Sequence, residues 1–254
     1  MSYGGLILRR GMRGEAVSEL QIRLAGFRGT VPDGDFGPGT EMQVMTFQRD
    51  FMGLAQPTGI ADRATLMAID RFADEHPLDF ELMKCPCGQC GGFGNGRYRG
   101  EYWPDKPCIE QFHRYEYPGM HRLLLWAARA VIFYHPQHTF TITSGYRCSI
   151  DNEMKGRRTT NHHGKAIDLD IVLGPDQSAE DDRELCDSCR GDIVNRAHAQ
   201  VGWLAANRKA LEPSDIAPTW VHYDVRCYEP KYLVDGMFCR SAGELDRRVP
   251  VTAE

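Results

Sequence analysis

Two stretches of this chain repeat one another, and the repeat restricts its N-terminal part to a small helical bundle. Val17, Leu20, Gln21 and Leu24 recur as Val44, Phe47, Gln48 and Phe51, each 27 positions later. The pattern V-x-x-L-Q-x-x-L brings its apolar members onto one face of a helix. Between the copies lies VPDGDFGPGT, whose Asp-Gly and Gly-Pro-Gly mark a tight loop. Thr40, after that loop, is the expected N-cap of the second helix. A third short helix is expected over 63–70, after the loop PTGIAD and capped by Asp62. The segment holds neither His nor Cys, which makes it a poor place for metal or catalytic chemistry.

The loop residues add a second layer of pattern. Gly14, Val17, Leu20-Gln21 and Leu24, then Asp33-Gly34-x-Phe36-Gly37, then Thr40 and Phe47-Gln48, then Gly53-Leu54 and Thr65 together resemble the peptidoglycan-binding three-helix module found beside many cell-wall enzymes. The resemblance implies that residues 1–70 bind bacterial peptidoglycan. The competing reading is a generic bundle in which the repeated glutamines are merely exposed.

Composition narrows the rest. With 254 residues, 42% of them hydrophobic and 26% charged, the chain has the makeup of a globular protein with room for a small and a medium domain. A net charge of -5 offers no general attraction to nucleic acid or to an anionic membrane, and neither is an expected partner. The N-terminal residues lack the charged start and apolar run of a signal peptide, and no stretch is apolar for long enough to cross a bilayer. Synthesis in the cytoplasm and a monomeric state are the resulting expectations. Residues 71–83, charged and containing a Pro, read as a linker to a second domain over 84–254.

That second domain opens on a cysteine-rich run. Cys85, Cys87 and Cys90, with Cys108, are candidate thiolates for a structural zinc. Their C-x-C-x-x-C spacing is not a usual zinc-ribbon spacing, so disulfides or reduced thiols are preferred. Cys186 and Cys189, a C-x-x-C pair without a thioredoxin-like setting, are read as a local disulfide or as idle thiols. Residues 120–133 form a dense apolar helix with Trp126 in the core, stopped by Pro136, and 139–143 alternate as a strand. An apolar stripe through Ile193, Ala197, Val201, Leu204 and Ala205 predicts a further helix, with His198 exposed.

The chemistry concentrates in SGYRCSIDNEMKGRRTTNHHGKAIDLDIV, residues 144–172. From Ala166 the residues alternate: Ile167, Leu169 and Ile171 on one face of a strand, Asp168 and Asp170 on the other. A strand with two forward carboxylates, entered through His162-His163-Gly164, is half of a metal site. The other half is supplied by TWVHYDVR, residues 219–226, where Trp220, His222, Asp224 and Arg226 share a face. Two imidazoles and one carboxylate leave a position on zinc for water, the pattern of a hydrolytic site.

SGYR, then H-x-G-x-A-x-D, then a strand with W-V-H, is similar to the zinc D-Ala-D-Ala carboxypeptidase and L-alanyl-D-glutamate endopeptidase family, peptidase M15. The resemblance runs from about residue 76 to about residue 232. It implies an α+β fold: the three-helix module followed by an α+β zinc peptidase domain with a mainly antiparallel sheet. It implies zinc held by His162, Asp168 and His222, and Arg147 binding a substrate carboxylate or stabilising an oxyanion. Tyr146 and Trp220 stand beside these as substrate-binding candidates. In the family's commoner spacing, H-x-x-G-x-A-x-D, the first ligand lands on Asn161, so His162 is taken with one residue fewer in the turn, and His163 is its alternative. The family's acidic residue three positions before the last His is Thr219 here. Asp224 is then the candidate general base, with Asp170 and Asp215 as alternatives and an Arg ion pair as the competing reading for Asp224. The implied activity is stem-peptide cleavage by a zinc-activated water, as an endopeptidase of endolysin type, encoded by a phage or prophage. A D,D-carboxypeptidase, an inactive wall-binding protein and a cysteine–zinc interaction protein are the rivals.

Overall fold

The computed structural model describes residues 7–92, 115–117, 119–158, 162–194, 211–225 and 237. In chain order it contains α1 (Glu15–Arg23), α2 (Pro38–Asp50), α3 (Arg63–Glu75), α4 (Arg122–Tyr134), β1 (Phe140–Ser144), α5 (Ser149–Met154), β2 (Ala166–Ile171), α6 (Ala179–Asp192) and β3 (Val221–Asp224). Helices dominate the N-terminal part, and a three-stranded antiparallel sheet of order β1-β2-β3 follows. The fold is α+β, as expected.

The repeat holds in three dimensions, and its glutamines are the reason. Gln21 and Gln48 are each 1% exposed, which rules out the reading that has them solvated. The Gln21 amide donates to Asp33 Oδ1 (3.0 Å), the Asp35 carbonyl (3.1 Å) and Thr40 Oγ1 (2.9 Å), while its carbonyl accepts from Gly34 N (2.9 Å). Gln48 treats the next loop alike: it donates to Thr58 Oγ1, the Ile60 carbonyl and Thr65 Oγ1, and accepts from Thr58 N (2.9 Å) and Gly59 N (3.0 Å). Each glutamine therefore closes the loop that follows its helix, turning at Gly34 (φ 76°) or Gly59 (φ 69°). Gln48→Ala strands these buried partners without replacement. It is expected to cost at least about 2 kcal/mol, read by urea denaturation of the full chain; a loss within about 0.5 kcal/mol contradicts this account.

Two helix starts differ in their caps. Asp62 caps α3 by accepting from Thr65 N at 2.8 Å. Thr40 is not the cap of α2: Gly37 occupies that position with Pro38 in the first turn, where its missing N–H costs nothing. Thr40 lies inside the helix, and its hydroxyl belongs to the Gln21 cluster.

Residues 71–83 are packed. Helix α3 runs to Glu75, and Phe72, Ala73, Leu78, Phe80 and Met83 are buried. The core is continuous from the N-terminal helices to the sheet. The turn that follows α1 meets α4 so closely that a Cβ on Gly26 would lie 2.0 Å from Ala130 Cβ. Phe27, Phe47 and Phe72 meet edge to face with ring centroids 5.0–6.0 Å apart, and Phe133 of α4 joins Phe27 at 5.8 Å.

A buried ion network spans the same contact. Arg122 at the start of α4 binds Glu19 of α1 (2.6 Å) and Glu116 (2.6 Å). Trp126 is fully buried, as expected, donates to Glu116 Oε1 (3.0 Å), and has the Arg23 and Arg129 guanidiniums 5.3 and 5.0 Å from its ring centroid.

Helix α6 is an addition to the elements expected from sequence. Ser178 accepts from Asp181 N and Asp181 reaches back to Ser178 N, a complete capping box. It carries Cys186 and Cys189, both free thiols pushed up to about 12 by burial; the local disulfide is not formed. The expected helix through Ala197 to Ala205, with His198, lies outside the described residues, as does Cys108.

Candidate metal centre

Register assembles the site. Strand β2 is central; Asp168 pairs with His222 on β3 and with Ser144 at the end of β1, and Ala166 pairs with Asp224. Directly paired residues share a sheet face, so Asp168, His222, Asp224 and Ser144 converge on one side. An irregularity between Ile142 and Ser144 ends the β1 pairing where the chain turns into Gly145-Tyr146-Arg147.

His162 arrives from the turn before β2. Gly164 there has φ 73°, and a Cβ on it would lie 1.9 Å from the Gly119 carbonyl oxygen. Only glycine fits, which accounts for the glycine between the histidines and the aspartates. Its carbonyl accepts from His121 N (2.7 Å), and the His162 carbonyl accepts from Arg147 N (2.8 Å), so the turn is tied both to the start of α4 and to the loop after β1.

His162, Asp168 and His222 are buried, and their donor atoms all lie within 4.8 Å of one another. His162 Nε2 is 3.3 Å from Asp168 Oδ2, and His222 Nδ1 is 2.6 Å from Asp168 Oδ1. The opposite nitrogens are occupied: His162 Nδ1 by the Gly145 carbonyl (2.9 Å), His222 Nε2 by Asp224 Oδ2 (2.8 Å). An acceptor behind each ring fixes the tautomer that turns a lone pair inward, the usual support for a metal-bound imidazole. The residues therefore fit a zinc ion with one position left for water or substrate.

The electrostatics agree. Burial alone would raise the Asp168 pKa, but hydrogen bonds from His162 and His222 outweigh it and hold this carboxylate well below the usual range. Burial alone would lower His222; Asp168 and Asp224 outweigh it and raise the imidazole to about 9. The pocket is thus built to keep positive charge between two carboxylates.

The other candidates fall in different places. Arg147, half-buried, donates to Asp168 Oδ2 (3.2 Å); burial lowers its pKa, and Asp168 opposes that. Asp224 is fully buried behind His222. His163 turns away and pairs with Asn152 of α5 (2.8 Å). Asp170, two residues along β2, is raised first by burial and then by Asp182 of α6, and Asp215 is exposed on a loop. Tyr146 is fully buried, close behind Gly164, so it supports the turn; Trp220 is partly exposed just before β3. Arg226 lies outside the described residues.

One carboxylate is new. An isolated bridge pairs Leu211 with Tyr223, which sets Glu212 beside His222 on the outer edge of β3. Its Oε1 is 3.9 Å from His222 Nε2 and its side chain is 21% exposed. Nothing in LEPSD marks this residue in sequence, because only the bridge brings it near.

Two comparisons with known proteins bear on the chain. Residues 13–69 match the peptidoglycan binding domain family. A stretch of 94 residues is 43% identical to the zinc D-Ala-D-Ala carboxypeptidase of Streptomyces albus G, covering 34% of this chain and 36% of that protein. The chain thus spans about a third of the length of the curated relative it matches.

Proposed function

We propose that this chain is a peptidoglycan hydrolase, a zinc peptidase that cuts an amide bond of the stem peptide while its N-terminal module holds it to the wall. The observation that carries the reading is the convergence of His162 Nε2, His222 Nδ1 and Asp168, with each imidazole's second nitrogen held by an acceptor. When bound there, zinc would supply Lewis-acid polarisation of the scissile carbonyl and a water acidified towards neutrality. The chain's own residues do the rest. Gly145 and Asp224 keep the two imidazoles aligned. Arg147 presents a guanidinium beside Asp168 that binds a substrate carboxylate or the oxygen on which charge develops. Glu212, partly exposed and 3.9 Å from the outer nitrogen of His222, would carry the proton from water to the leaving amine once its side chain swings to the inner side. Tethering to the wall raises the local concentration of bonds to cut.

Endopeptidase action is the reading adopted. Carboxypeptidase action is the second, favoured by the name of the Streptomyces relative and by a guanidinium suited to a terminal carboxylate. Incubation with purified peptidoglycan, followed by mass spectrometry, separates them. New stem-peptide amino termini are expected from an endopeptidase and free D-Ala from a carboxypeptidase. Chelator should abolish either product and added zinc restore it. Absence of any released product with zinc present would leave a wall-binding protein only.

A further inference from the structure

The described residues contain a second candidate metal centre, made of Cys85, Cys87, Cys90 and Cys148. Sequence spacing directs attention to Cys108 as the fourth member of this set; the fold brings in Cys148 instead, from the turn that carries Arg147. All four side chains are buried, and their sulfurs lie within 4.8 Å of one another. The Cys87 and Cys148 sulfurs are 3.6 Å apart. A disulfide requires about 2.05 Å, and no disulfide joins the four. Tetrahedral zinc with Zn–S of about 2.3 Å sets its sulfurs about 3.8 Å apart, close to the observed separation.

Backbone geometry points the same way. Gln89 N and Cys90 N both donate to Cys87 Sγ (3.3 and 3.4 Å), around a turn with Gly88 at φ 70°. Cys148 N donates to Cys85 Sγ at 3.3 Å. Three N–H groups aimed at two sulfurs favour thiolates over thiols. Several thiolates gathered in a buried place need a cation.

We propose that Cys85, Cys87, Cys90 and Cys148 bind a structural zinc that clamps the Gly145–Cys148 turn onto the segment from Met83 to Gly92. The turn already rests there: Tyr146 N donates to the Met83 carbonyl (2.8 Å), and a Cβ on Gly145 would lie 2.6 Å from Met83 Cα. Through this turn the thiolate site holds both Arg147 and the Gly145 carbonyl that orients His162. The proposal is independent of the peptidase reading, since it draws on none of that site's donors.

Metal analysis of the full chain tests it. The wild type is expected to carry close to two zinc ions per chain, and the His162→Ala/His222→Ala double variant close to one. Cobalt loaded into that double variant should show thiolate-to-metal charge-transfer absorption. Cys148→His, which retains a donor, should weaken that absorption, and Cys148→Ser, which leaves three thiolates and a poorer fourth donor, should weaken it further and loosen cobalt binding. Metal-free double variant protein, a cobalt form without thiolate absorption, or a disulfide among these four cysteines in peptide mapping would each overturn the proposal. One zinc in the wild type that persists in the double variant would instead sink the peptidase site and uphold this one.

Discussion

Glu212→Gln is expected to lower kcat by about 10²–10⁴ while zinc content stays at the wild-type level. The substitution keeps the side chain's shape and removes only its ability to take a proton. Asp224→Asn is expected to act differently. Asp224 is fully buried and 2.8 Å from His222 Nε2, so its loss frees the imidazole to rotate or change tautomer. Metal affinity should fall about 10–100-fold, with most of the turnover recovered at saturating zinc. Both carboxylates sit on the Nε2 side of His222, but a general base must meet water and substrate, and Glu212 with its 21% exposure can move to them, whereas Asp224 is fully buried. Steady-state kinetics across a zinc titration distinguish the two roles. Wild-type turnover in Glu212→Gln, combined with an Asp224→Asn defect that zinc does not rescue, would return the base to Asp224.

Glu116→Ala is expected to destabilise the protein by about 3–5 kcal/mol. Glu116 accepts from Arg122 Nε (2.6 Å) and Nη2 (2.8 Å) and from Trp126 Nε1 (3.0 Å), at zero exposure. Without it, Arg122 keeps Glu19 but loses the partner on its other side, deep in a low-dielectric contact. The melting temperature should drop by about 10 °C, and the N-terminal helices should lose cooperativity with the sheet, because Arg122 links α1 to α4. Arg122→Met in the Glu116→Ala background should recover part of the loss, since the half-paired buried guanidinium is gone and Glu19, which loses Arg122, keeps Arg23 at 3.2 Å. A shift of under about 2 °C in Glu116→Ala would mean that water reaches the network. The pair of variants also tests whether the N-terminal helices and the candidate metal site unfold together.

Much of this was legible in the sequence because its physics is local. The 27-residue repeat, the Asp62 cap, the apolar α4 and the alternation of β2 are short-range patterns, and each reports on the element that contains it. The capping box at Ser178 is equally local and marks α6 in hindsight. Packing was not legible in the same way. Residues 71–83 look like a linker because their charges are interspersed with apolar residues, yet Phe72, Leu78, Phe80 and Met83 find a shared core that only the meeting of α1 with α4 creates. Thr40 resembles a cap because its neighbours are loop-formers, but Gly37 takes that place and Pro38 begins the helix.

The candidate metal centre divides along the same line. Residue types and alternation narrowed the ligands to His162 or His163, Asp168 or Asp170, and His222, and the family resemblance chose His162, Asp168 and His222 among them. Tertiary structure alone decided what surrounds them. Strand register set Asp168 opposite His222 and Asp224 behind it, one bridge brought in Glu212, and a turn returned Cys148 to three cysteines more than fifty positions earlier. The reason is physical: side-chain period within a strand is a property of the chain, whereas register, edge pairing and turn docking depend on segments that sequence separates and only packing rejoins.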